Sequence, residues 1–103
     1  MRISKEQVQV FIKCIESFGV HHFELYLFGS RAKDNKKGGD IDLIVIASNE
    51  YIQRLQSNKP LLLAKIKLQK KKKKTDFTFL SEDKKSTDVF FNSIPTDELI
   101  RLK

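Results

Sequence analysis

A second cysteine is missing: Cys14 is the only one in 103 residues, so an internal disulfide is excluded. Also missing is any apolar run near the roughly 20 residues that a bilayer crossing requires, which excludes a membrane span. The N-terminal segment lacks an apolar signal core and a cleavage site, and together with the lone thiol this predicts a cytosolic (cytoplasmic) protein. No internal repeat is found, and low complexity is confined to Lys70 to Lys74. Acidic side chains are in deficit, 13 against 20 basic ones, for a formal charge of +7. That balance favours polyanionic ligands, whether nucleotides, nucleic acid or an acidic protein partner, without choosing among them. With 40% hydrophobic content, the chain is expected to form one core and a single domain over residues 1–103, with no second substrate-binding domain.

Ser4 and Gln7 have the spacing of a capping box, and Val8, Phe11, Ile12, Ile15 and Phe18 recur at helical intervals up to Gly19. They predict an amphipathic helix, with Cys14 on or beside its apolar face as a small core residue. Phe23 to Phe28, aromatic and branched and closed by Gly29, reads as a buried strand. Arg31 to Gly39 is polar, basic and glycine-terminated, a loop. Ile41 to Ala47 is almost continuously apolar and β-branched, the pattern of a strand covered on both faces. Ser48 or Asn49 is placed to cap a short helix to about Leu55, and Pro60 to begin another, although the apolar residues from Leu61 to Gln69 fall at mixed spacing. Alternation in Thr75, Asp76, Phe77, Thr78 and Phe79 predicts a third strand, with Phe77 and Phe79 on one face and Asp76 on the other. The tail from Ser86 reads as helical, broken at Pro95 and resumed by Thr96, Asp97 and Glu98. The fold class is α/β (α+β), a small mixed sheet of at least three strands backed by helices, with the site along one sheet edge.

The chemistry is concentrated in Leu27-Phe28-Gly29-Ser30-Arg31-Ala32 and, after a short loop, Gly39-Asp40-Ile41-Asp42-Leu43. Residues two apart on a strand face the same way, so Asp40 and Asp42 project toward one site. Two carboxylates that close repel and raise each other's pKa unless a cation lies between them. Magnesium suits the pair, being a hard ion that takes one or two carboxylates and fills its other positions with water and phosphate oxygens. Gly29 lets the backbone approach a phosphate, and Ser30 adds a hydroxyl donor beside amides at a helix start. Arg31 is suited either to bidentate phosphate contact or to an ordinary surface position.

A strand ending in Gly-Ser, then a second strand opening with Asp-x-Asp, resembles the signature of the DNA polymerase β-like nucleotidyltransferases. The Arg-Ala after Gly-Ser and the Asp-Ile-Asp-Leu run are similar to the minimal nucleotidyltransferase branch, small proteins often paired with a HEPN-domain partner. The resemblance covers about residues 22 to 80. It departs from the pattern at Lys33-Asp34-Asn35, where a second glycine is common, and at Gly39, where serine is common; neither position is a metal-binding carboxylate. The resemblance implies a polymerase β-like fold and transfer of a nucleoside monophosphate, AMP from ATP by default, onto a hydroxyl. Asp76, in a Lys-Thr-Asp-Phe setting similar to the family's third-carboxylate strand, would join Asp40 and Asp42 as catalytic and metal-binding residues. Gly29, Ser30 and Arg31 would bind the nucleotide's phosphates. Two Mg²⁺ ions held by such carboxylates would activate the attacking hydroxyl and stabilise the leaving pyrophosphate. The acceptor would come from a HEPN-type partner in a toxin–antitoxin pair, on a tyrosine hydroxyl.

Plainer readings stand beside these. Asp76 also fits a surface strand residue satisfied by adjacent lysines, and Lys70 to Lys74 a solvated helix end rather than a nucleic-acid patch. His21 and His22 lack ligand partners at metal-binding spacing and read as turn residues. As whole-protein alternatives, the chain suits a noncatalytic antitoxin or binding subunit of the same fold. A basic nucleic-acid-binding module is less favoured, because no basic surface interleaved with aromatics is seen.

Overall fold

A computed structural model describes residues 3–29, 41–69 and 74–103. Helix α1, Lys5–Glu16, begins at the expected capping box: the Ser4 side chain accepts from Gln7 N, and the Gln7 side chain accepts from Ser4 N. Phe11 and Ile15 of its apolar stripe are fully buried, and the chain turns away at Gly19, whose φ is 81°. Strands β1, Phe23–Phe28, and β2, Ile41–Ala47, pair antiparallel from Phe23 opposite Ala47 to Phe28 opposite Asp42. Ser48 caps α2, Asn49–Ser57, by accepting from Tyr51 N, and α3, Lys59–Gln69, follows with Pro60 in its first turn. These two helices form the crossover that parallel pairing requires. Strand β3, Thr75–Ser81, accordingly lies parallel to β2.

The tail differs from its expected form. A short helix α4, Val89–Ser93, does precede Pro95. Thr96–Glu98, however, makes a single 3-10 turn and leads into a fourth strand, β4, Leu99–Arg101. That strand pairs antiparallel with the free side of β1, giving a mixed sheet in the order β3-β2-β1-β4. Backbone bonds between Leu25 and residues Leu102 and Lys103 extend the attachment.

The sheet's two faces are covered unequally. Leu25, Leu27, Leu43, Val45 and Phe77 pack beneath Phe11, Ile15, Ile52, Leu55, Leu62 and Ile66 of α1, α2 and α3. Phe79 joins this cluster on the same face as Phe77, as the alternation requires. On the opposite face Tyr26, Ile44, Ile46 and Leu80 are met by Phe91 of α4, with Phe28, Ile94 and Leu99 around them. Asp42 and Asp76 alternate onto this second face, at the end of the sheet beyond the apolar cluster.

Candidate functional site

Three strand ends converge there. Because β1 and β2 are antiparallel, the C-terminal end of β1 meets the N-terminal end of β2, with Phe28 opposite Asp42. Because β2 and β3 are parallel, their N-terminal ends lie together and Asp42 stands directly opposite Asp76. Their backbones are therefore one strand spacing apart, about 4.8 Å, with both carboxylates on one face. A bond from Ile41 N to Lys74 O, 2.8 Å, closes the ladder at this end.

Gly29 follows the last residue of β1 with φ +84°, a conformation that side-chain-bearing residues avoid. A Cβ at this position would stand 3.7 Å from Asp42 Oδ2, so the bare backbone turns immediately beside the carboxylate. Asp42 is partly buried at this junction. Asp76, on the edge strand, is 57% exposed in its side chain, and its Oδ1 lies 3.2 Å from Lys59 Nζ. The same ammonium donates to Phe77 O at 3.1 Å and lies 5.9 Å from the centre of the Phe79 ring.

The structure thus brings together Gly29, Asp42 and Asp76. Ser30, Arg31 and Asp40 lie outside the described residues, as do the loop expected from Arg31 to Gly39 and Lys70 to Lys73. Asp76 does meet a lysine, but one other than the adjacent lysines that its plainer reading named. The lysine is Lys59, at the start of α3, which sequence reasoning passed over.

Around these groups the open face is partly apolar and partly a polar network. Phe90 packs edge-on against Phe28 at 5.5 Å and is 48% exposed. Toward the far end of β1, Glu24 Oε1 accepts from Lys85 Nζ at 2.8 Å and from Tyr26 Oη at 2.6 Å. The Lys85 bond, followed by that of Tyr26, holds the Glu24 carboxyl below its usual pKa. Burial first, and then Glu24, raises the Tyr26 phenol, while Lys85 is raised chiefly by Glu24. Glu24 is opposite Ile46, at the other end of β2 from Asp42, so this network ties the turn after β3 to β1 and stands apart from the carboxylate pair. Thr75 Oγ1 is buried without a hydrogen-bond partner among the described residues, but alternation directs it away from Asp76.

His21 and His22 are exposed residues between α1 and β1, matching the turn reading. Cys14 is half-buried against the core, and burial raises its thiol pKa against a smaller opposing effect from Lys65. Among the described residues, no three His, Cys, Asp or Glu side chains gather into a metal-binding group, and no helix is long and apolar enough to cross a membrane. Two adjacent carboxylates nevertheless match what magnesium takes from proteins, because it fills its other positions with water and phosphate oxygens.

A family model described as polymerase beta, nucleotidyltransferase, matches residues 21–101, from the approach to β1 through β4. The chain belongs to this family. Neither a curated protein nor a solved structure matches it. The mixed four-stranded sheet with its helices is the polymerase β-like nucleotidyltransferase fold, and the family match reaches past residue 80 to include the strand that the sequence did not disclose.

Proposed function

We propose that this nucleotidyltransferase moves a nucleoside monophosphate from an NTP, by default AMP from ATP, onto a hydroxyl of a protein partner. The observation that carries the reading is the pairing of Asp42 with Asp76 on one face, beside the bare backbone of Gly29. Asp40, two residues before Asp42 in the sequence, completes the set of carboxylates. Together they would hold Mg²⁺, two ions in the full arrangement, which when bound would offset phosphate charge and polarise the attacking hydroxyl.

The chain's own residues then have separate tasks. Gly29 keeps side-chain bulk away from the nucleotide's phosphates, with Ser30 and Arg31 donating to phosphate oxygens. Asp76, on the edge strand and more exposed, is accessible to an incoming acceptor and accepts its hydroxyl proton. The acceptor oxygen forms a bond to the α-phosphorus, and the bond to the bridging oxygen breaks. Pyrophosphate leaves with that electron pair. The acceptor is best supplied by a tyrosine of a HEPN-type toxin, giving this single-domain cytosolic chain an antitoxin role.

A noncatalytic antitoxin subunit is the second reading, favoured by the Lys59–Asp76 bond, which neutralises Asp76 without a metal. Label transfer from each of the four α-labelled NTPs, with and without a co-purified HEPN-type partner, separates the two. The native chain should label the partner in Mg²⁺ and Asp42→Ala should not, while circular dichroism shows the variant folded. Equal labelling by the variant would sink the enzymatic reading.

A further inference from the structure

We infer that Lys59 is a positioning residue for Asp76: its ammonium is a resident counter-cation that holds the carboxylate at the sheet edge and sets how readily a metal ion can take it. The inference rests on the metal reading proposed above.

Three contacts fix this ammonium: Asp76 Oδ1 at 3.2 Å, Phe77 O at 3.1 Å, and the face of Phe79 at 5.9 Å. Two of them do not involve Asp76. The charge therefore stays beside the carboxylate even when the carboxylate turns toward another cation. A metal arriving at Asp76 must break one ion pair and then coexist with a fixed positive charge, so Lys59 opposes metal entry while keeping Asp76 in place.

Local structure does not account for the lysine. It is the first residue of α3, whose first turn has no acidic side chain, and a cation there has the unfavourable sign for the helix dipole. Nor does stability account for the ion pair. With side chains 36% and 57% exposed, an ion pair of this kind adds little. The competing explanation is edge protection, because β3 ends the sheet and Lys59 occupies one of its free carbonyls. A lysine serving only that purpose would change melting or aggregation and leave metal binding alone.

The test is a titration of the full chain with Mn²⁺ alone at low ionic strength, free ion being followed by electron paramagnetic resonance. Lys59→Gln should reach half-saturation at a Mn²⁺ concentration about threefold or more below native, since one repelling charge is gone, and the gain should shrink as salt is added. Lys59→Arg keeps the charge and should stay within about twofold of native. Asp42→Asn and Asp76→Asn should both bind more weakly. If Lys59→Gln titrates like the native chain while Asp76→Asn weakens, Lys59 only covers the edge and the inference is wrong. Undiminished binding by both asparagine variants would instead overturn the metal reading and the inference with it. Lys59→Met, which keeps most of the stem, is judged by the same criterion if glutamine reduces the yield of folded protein.

Discussion

Replacing Gly29 with alanine separates backbone strain from function, because Gly19 provides an internal control. Both glycines have nearly the same positive φ, +84° and +81°. Forcing an L-residue into that region costs roughly 1–2 kcal/mol, so each alanine variant should lose about that much. For a domain near 100 residues each kcal/mol lowers Tm by about 4–8 °C, well within reach of a thermal melt. Steric cost differs little in its outcome. At Gly29 the new Cβ meets Asp42 Oδ2 at 3.7 Å, an ordinary contact. At Gly19 it would stand 2.9 Å from Arg54 Nη1, but that is the tip of a long exposed side chain. The guanidinium can swing away, losing its long bonds to Phe18 O and Gly19 O, 3.5 and 3.4 Å. The two variants should therefore melt alike and bind differently. Calorimetry with Mg²⁺ and ATP should show weaker nucleotide binding for Gly29→Ala, whose methyl group occupies the space beside Asp42, and native binding for Gly19→Ala. Equal losses of binding would mean that destabilisation alone is responsible. A Gly29→Ala protein melting with the native would show that this residue does not hold a positive φ in solution.

Two further outcomes follow from local contacts. The lowered pKa of Glu24 means that its stabilisation is present above the unfolded-state value and is lost as pH falls through the folded-state value, hence below about pH 4.3; Glu24→Gln should melt below native at pH 7, by an amount equivalent to about 1 kcal/mol at most for so exposed a pair, and the gap should shrink progressively as the pH is taken below that value. A gap that does not change with pH would refute the assignment. Ser4→Ala removes the acceptor for Gln7 N and should cost about 1 kcal/mol in urea denaturation, whereas an unchanged midpoint would show that α1 is not anchored at its capping box.

Most of this fold was legible because its signals are local. The Ser4–Gln7 spacing, the stripe through Phe11 and Ile15, and the alternation around Asp76 each depend on residues within one turn or one strand. Strand β4 was not legible for the opposite reason. Leu99–Arg101 is too short to display alternation, and it is a strand only because β1 offers an unpaired edge. Helix α3 was blurred by Leu61 and Leu68, which are exposed while Leu62 and Ile66 are buried, so its apolar residues do not form one stripe. At the site, sequence parity placed Asp76 opposite in face to Phe77 and Phe79, but the pairing of Asp76 with Asp42 is a matter of register across a two-helix crossover. The same crossover separates Lys59 from Asp76 in sequence, leaving a helix-start lysine of the wrong sign as the one local hint.

Register also explains why the carboxylate pair stands at the strand ends. Like charges directly opposite each other on adjacent strands destabilise a sheet, and in the middle of β2, where Leu43 to Ala47 are buried, such a pair would not be tolerated. The strand ends tolerate it, because α4 and its neighbours cover only the apolar cluster of the second face and leave Asp76 open to solvent. Lys59 supplies one positive charge, on the Asp76 side. In the sequence Asp40 adds a further acidic residue just before β2. Under the proposed function a divalent ion would be shared by the opposed carboxylates, and the triphosphate it accompanies would bring negative charge to a chain whose formal charge is +7. The proposed function would give the basic surplus, the bare turn at Gly29 and the opposed aspartates one electrostatic explanation, with Lys59 holding Asp76 until nucleotide and metal arrive together.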